Sequence, residues 1–163
     1  MRGWLGGARD QAAGGVGGVR GPRRPVAHSK GLVVGAFERA VGGVERWGLP
    51  GPVDRWRGLR AEIHEEVCRE AFNIEVGAFT QAYGSDELDA STLLIPLVGF
   101  LPVDDPRVTG TIDAIMRDLT RDGFVERYKV HDNNVVDGLP GSEGVFLPCS
   151  FWLVDALLMQ ERD

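Results

Sequence analysis

Glu143 is the carboxylate whose surroundings best suit chemistry in this sequence. It lies in Asp137-Gly138-Leu139-Pro140-Gly141-Ser142-Glu143-Gly144, where Gly and Pro favour a tight, structured loop over regular structure. Directly afterwards, Phe151-Trp152-Leu153-Val154 and Ala156-Leu157-Leu158 leave no polar face, as in a helix enclosed by a larger protein. A loop carboxylate carried over the end of a buried helix is a plausible geometry for meeting a ligand. It is equally an ordinary entrance to a core helix, so the spacing alone leaves both readings open.

Other candidates carry less. His131 has ligand-type neighbours in Asp132, Asn133 and Asn134, but a lone His in a polar turn reads as solvated. His64 falls on the polar side of its helix and reads the same way. Cys68 and Cys149, far apart in apolar surroundings, read as buried thiols rather than a disulfide or a metal pair. Arg20, Arg23 and Arg24 hint at anion binding, although a solvated arm explains them as well. No metal and no other cofactor is implied.

The elements that must position these residues are helices. Residues 1 to about 27 are dominated by Gly, Ala and Arg, have little to bury and read as disordered. Ser29 can cap a helix running to about Trp47, with Val33, Phe37, Ala40, Val41, Val44 and Trp47 on one stripe. Gly31, Gly35, Gly42 and Gly43 each cost that helix ~1 kcal/mol against Ala, so packing must support it. Gly48-Leu49-Pro50-Gly51-Pro52 ends it. Asp54 opens an outer helix to about Ala71, with Trp56, Leu59, Ile63 and Val67 facing inward.

Phe79 to Tyr83 is a short extended segment. Ser85 or Asp86 is expected to cap a buried helix from Glu87 to about Val98. Asp105 followed by Pro106 is the clearest start signal, opening a helix that ends at Gly123 with Val108, Ile112, Ile115, Met116 and Leu119 on its stripe. Phe124 to Val130 alternates like a strand. Buried and amphipathic helices thus alternate through short turns, predicting an all-α fold of helical hairpins, part of an α/α toroid. No fixed-period repeat argues for a solenoid.

Composition narrows the function. A chain of 163 residues is long enough for one domain with a sizeable core. The net charge of -6 and pI near 5.1 argue against nucleic acid, which calls for clustered basic residues. No apolar run reaches the ~20 residues that cross a bilayer, and the first residues lack the apolar centre of a secretory signal. A soluble protein of the reducing cytoplasm is expected.

A resemblance then sharpens the reading. Trp56 to Ile63, Gly77-Ala78-Phe79-Thr80-Gln81-Ala82-Tyr83-Gly84-Ser85 and Leu88-Asp89-Ala90-Ser91 resemble glycoside hydrolase family 15, in its bacterial glucoamylase-like and trehalase branch. So do Pro96 to Pro102, Asp105-Pro106-Arg107, Gly123 to Tyr128 and Asp137 to Asp155. The ordered matches span roughly residues 20 to 160. They imply a six-hairpin toroid, of which about two and a half hairpins are present here as residues 28–163. They also imply inverting hydrolysis of an α-glucosidic bond, as in trehalose or maltodextrin, without a metal. In that chemistry one carboxylic acid protonates the leaving oxygen and a second carboxylate, about 6.5–9.5 Å away, activates water.

The resemblance places substrate contacts at Arg127, Glu143 and Trp152, with His28 and Lys30 near the mouth. Arg127 stands in an Arg-Tyr motif and would bond glucose hydroxyls; its planar donors suit such oxygens. Without the family it would read as a salt bridge to Glu126 or Asp122, and Trp152 as core. The catalytic pair departs from the pattern. Arg20-Gly21-Pro22-Arg23-Arg24 and His28-Ser29-Lys30 match, but the general-acid position falls on Gly18, which has no proton to give. The general base is expected beyond Asp163. The expected chain is therefore inactive alone, with an α-glucoside as ligand and inner helices exposed enough to self-associate. The alternative is a non-catalytic sugar- or partner-binding module.

Overall fold

The computed structural model describes residues 26–129 and 145–162. Gly18, the Arg20 to Arg24 cluster, His131 and Glu143 lie outside them. The described residues are mainly helical: α1 (Ala27–Trp47), α2 (Val53–Glu70), a 3-10 turn (Ala90–Leu93) running into the one-turn α3 (Leu94–Leu97), α4 (Pro106–Asp118) and α5 (Pro148–Met159). Two small antiparallel hairpins complete it, β1 (Phe72–Asn73) with β2 (Ala78–Phe79) and β3 (Thr120–Arg121) with β4 (Phe124–Val125). None of these helices is long and apolar enough to cross a membrane.

Val26, the first described residue, bridges Ala82, while the Ala27 N–H donates to the Gln81 carbonyl at 3.1 Å. The start of α1 is thus fixed by an extended neighbour. Val26 occupies the cap without a side-chain bond, and Ser29, the expected cap, falls in the first turn. Gly31 and Gly35 turn out to face inward. A Cβ at Gly31 would reach Ile95 at 4.0 Å, and one at Gly35 would meet Val98 at 3.4 Å. Close approach to the short central segment therefore offsets their helix cost. Trp47, placed on the stripe by periodicity, is exposed.

Left-handed Gly48 ends α1, and α2 returns against it with Ile63 and Val67 buried. Arg57 with Glu45 and Arg60 with Glu38 link the two helices at the surface. His64 is not free in solvent as expected. Its ring stacks on Phe100 at 4.5 Å and its Nε2 lies 3.1 Å from the Phe100 carbonyl oxygen.

The helix expected from Glu87 to Val98 is shorter, running only from Ala90 to Leu97 and 3-10 in its first turn. Ser85 Oγ accepts the Glu87 N–H at 3.0 Å in a local turn, and the Gln81 N–H donates to the Glu87 carbonyl at 2.8 Å. Helical structure starts only after Asp89, and Pro96, which has no N–H to donate, and left-handed Gly99 stop it early. The helix from Asp105 begins as expected but ends at Asp118 rather than at Gly123. Asp122 and Gly123, at φ 50 and 82, form a two-residue hairpin turn that returns Phe124 beside Arg121.

Phe37, Ile63, Phe79, Leu93, Ile95, Ile112 and Ile115 form the centre of the core. The 3-10 turn and α3 occupy the middle, with α1, α4 and α5 around them. In α5 Cys149 and Ala156 are buried, whereas Phe151, Val154 and Leu158 are exposed. Its enclosure is thus one-sided among the described residues. Three polar bonds anchor it: the Val125 N–H donates to Ser150 Oγ at 3.0 Å, and Gln160 Nε2, just past its end, donates to the Val103 carbonyl at 2.8 Å and to Thr109 Oγ1 at 3.0 Å.

Candidate functional site

Asp89 is 1% exposed, so its carboxylate must find compensation inside the protein. Its own turn supplies part of it. The residue is extended at φ -137, ψ 124 and caps the 3-10 turn, Oδ1 accepting the Ser91 N–H at 2.8 Å. Thr92 fixes the backbone, its Oγ1 donating to the Asp89 carbonyl at 2.8 Å.

Arg127 supplies the rest. It follows the β3–β4 hairpin, held there by the Glu126 N–H to the Leu119 carbonyl at 2.8 Å. The Ala90 N–H donates to the Arg127 carbonyl at 2.7 Å, which brings the arginine beside the acid's turn. Arg127 Nε then stands 3.6 Å from Asp89 Oδ1, with its side chain 10% exposed. That separation makes an ion pair but is too long for a hydrogen bond. The guanidinium carbon also lies 5.9 Å from the Tyr128 ring centroid, within cation–π range.

His28, in the first turn of α1, completes the group. It is buried, and burial holds its imidazole below the usual pKa; Asp89 opposes that shift and Arg127 adds to it. A neutral ring with one donor and one acceptor results at neutral pH. Cys149, at the start of α5, feels the same two charges, but burial dominates and pushes its thiol up to about 12. It is a packed hydrophobe here rather than a nucleophile. Among the described residues, both His28 ring nitrogens, Ser91 Oγ and Arg127 Nε are buried without a hydrogen-bond partner.

The remaining expected contacts are placed as follows. Lys30 Nζ lies 3.5 Å from Glu66 Oε1 on α2. Trp152 is half-buried against the core, edge-on to Phe146 with centroids 6.1 Å apart. Glu143 and Gly18 lie outside the described residues. Sequence reasoning missed Asp89. The motif Leu88-Asp89-Ala90-Ser91 was visible, but nothing local shows that its carboxylate is buried or which cation meets it.

Arginine, neutral histidine and serine side chains from α1, the 3-10 turn and the segment after β4 thus gather around one carboxylate. Such a set of directional donors and acceptors with one fixed charge pair suits a neutral, hydroxyl-rich ligand. The fold is that of the helical glycosidases. A solved glycosidase, and the same kind of protein in complex with glucose, each superpose with a TM-score of 0.70 at 23% identity, covering 85% of this chain and 35% of theirs.

The chain belongs to glycoside hydrolase family 15: residues 19–163 match the profile of Glycosyl hydrolases family 15. It is similar to the trehalase of Mycobacterium tuberculosis (strain ATCC 25618 / H37Rv), 44% identical over 140 residues, which cover 86% of this chain and 20% of that protein. The trehalase of Thermoplasma volcanium is 35% identical over 136 residues, covering 83% of this chain and 21% of the relative. The chain therefore spans about a fifth of the length of these curated relatives.

Proposed function

We propose that this chain forms part of the sugar-binding wall of a family 15 hydrolase acting on an α-glucosidic bond, with trehalose as the leading substrate. The buried Asp89–Arg127 pair beside neutral His28 is the observation that carries the reading. The family resemblance expects Arg127 to contact glucose, and relatives 44% and 43% identical to this chain are trehalases. Binding rather than bond cleavage is the role assigned to the described residues, because the general-acid register falls on Gly18 and glycine has no side chain to protonate a leaving oxygen. The free thiols of Cys68 and Cys149 accord with a reducing, cytoplasmic setting.

Saturation-transfer NMR of the folded chain with glucose and with trehalose tests this. Transfer to the sugar is expected in the wild type and is lost in Arg127→Ala, with near-ultraviolet circular dichroism as the fold control. A folded wild-type chain that gives no transfer at millimolar sugar sinks the reading. Glucose release abolished by Glu143→Gln would instead reverse the non-catalytic assignment.

A further inference from the structure

We infer that Asp89 is a positioning residue for Arg127, its buried charge drawing the guanidinium towards the 3-10 turn, nearest through Nε, so that the terminal amino groups meet the sugar. The inference rests on the reading of Arg127 as a sugar contact and goes one residue deeper. Three observations carry it.

The turn that holds Asp89 is itself rigid. The Ser91 N–H and the Thr92 hydroxyl bond both ends of the residue, at 2.8 Å each, and the Thr92 N–H adds a third bond to its carbonyl at 3.0 Å. The same turn meets Arg127 twice, through a hydrogen bond from the Ala90 N–H to its carbonyl at 2.7 Å and through the ion pair of Asp89 Oδ1 with Nε at 3.6 Å. Backbone and side chain of the arginine are thereby indexed to one short segment. Finally, both partners are buried, Asp89 at 1% exposure and the Arg127 side chain at 10%, where screening by water is weak and the attraction between the charges is strong.

A guanidinium is planar and rigid, so an attraction that draws Nε towards Asp89 carries both terminal nitrogens with it. Asp89 therefore acts without touching the ligand. It spares the sugar the cost of ordering a long side chain on binding, which is how preorganised sites gain affinity.

Asp89→Asn separates this role from capping, because asparagine caps a turn as well as aspartate does. The positioning role predicts glucose binding weakened by about tenfold in Asp89→Asn, the scale of one lost charged contact. It also predicts partial recovery in Asp89→Glu, whose carboxylate can still reach Nε. A capping role alone predicts the reverse order, with Asn close to wild type and Glu impaired. That order overturns the inference.

The Arg127 Nε–H signal in a ¹H–¹⁵N spectrum, assigned by its loss in Arg127→Lys, is the sugar-independent readout. It is expected to exchange slowly in the wild type and quickly in Asp89→Asn. If wild-type chain binds no glucose yet shows the protected signal, the sugar reading fails and the positioning stands. A wild-type signal exchanging as fast as that of an exposed arginine overturns the positioning whatever the sugar does. Should Asp89→Asn unfold, Asp89→Asn/Arg127→Gln is expected to restore the fold by removing the unpaired buried charge. A double variant no more stable than Asp89→Asn counts against the pair.

Discussion

The Tyr83 hydroxyl donates to Glu66 Oε1 at 2.9 Å, and Lys30 Nζ stands 3.5 Å from that same oxygen. One carboxylate oxygen on α2 therefore ties down both α1 and the segment after β2. Burial, and then the Glu66 contact, raise the Tyr83 phenol above its ordinary pKa of 10.0. A raised folded pKa favours the protonated form, so its contribution to stability is intact below pH 10 and is lost as pH rises past the unfolded value. Thermal melts from about pH 9 to pH 11 should show a falling midpoint, and Tyr83→Phe should flatten that slope. A slope unchanged by the substitution contradicts the assignment.

Asp105 works at the opposite end of the pH scale. Its Oδ1 accepts the Arg107 N–H at 2.9 Å as a helix cap, and its two oxygens take Arg107 Nε at 2.9 Å and Nη2 at 2.8 Å. The Arg107 side-chain bonds hold the carboxyl below its usual 3.8. Its stabilisation is therefore present above pH 3.8 and is lost as pH falls towards the depressed value. Asp105→Ala is expected to cost about 1–2 kcal/mol in urea unfolding at neutral pH. The gap between variant and wild type should narrow in strong acid.

Gly110 is needed for space. A Cβ there would stand 2.3 Å from the Gly77 carbonyl oxygen, a backbone atom in a turn that cannot swing aside. Gly110→Ala should destabilise by about 1–3 kcal/mol. Gly58, on the exposed side of α2 with nothing within 4 Å, is the control. Gly58→Ala should add up to about 1 kcal/mol.

Cys149 should be chemically silent in the native protein. With its thiol pushed up to about 12 and no exposed surface, Ellman's reagent at mildly alkaline pH should reach it only as the chain unfolds. Labelling of Cys149 in the folded protein at the rate of a free thiol would show that the start of α5 opens.

The exposed stripe of Phe151, Val154 and Leu158 should bind anilinonaphthalene sulfonate. Phe151→Lys/Leu158→Lys should abolish that fluorescence while changing stability by no more than about 0.5 kcal/mol per site, because neither side chain is enclosed. Sedimentation velocity on the same pair tests the expected self-association, which the double substitution should remove.

Two helix boundaries were legible from short-range signals, while the cap signals at Ser29 and Ser85 and the stop at Gly123 misplaced theirs. Asp105-Pro106 opened α4 and Gly48 closed α1, each through its own backbone chemistry. Periodicity misled where two elements share an apolar run. Residues 87–98 are apolar because they lie in the middle of the fold, not because they are helical throughout, and Asp122-Gly123 carried a hairpin signal that the helix pattern before it obscured. The family motifs brought Arg127 forward. Asp89 could not be found in that way, since its importance arises from a pairing between two segments that only the folded chain brings together.

Apart from the outward-facing Asp155, apolar residues all round give α5 little internal preference for which side turns inward. Ser150 near one end and Gln160 just past the other act as two pegs, each meeting a partner on a different element. The inward bearing of Cys149 is thus helped by a hydroxyl and an amide and not only by hydrophobic sorting. Removing either peg should leave a helix still formed but free to settle at a new angle.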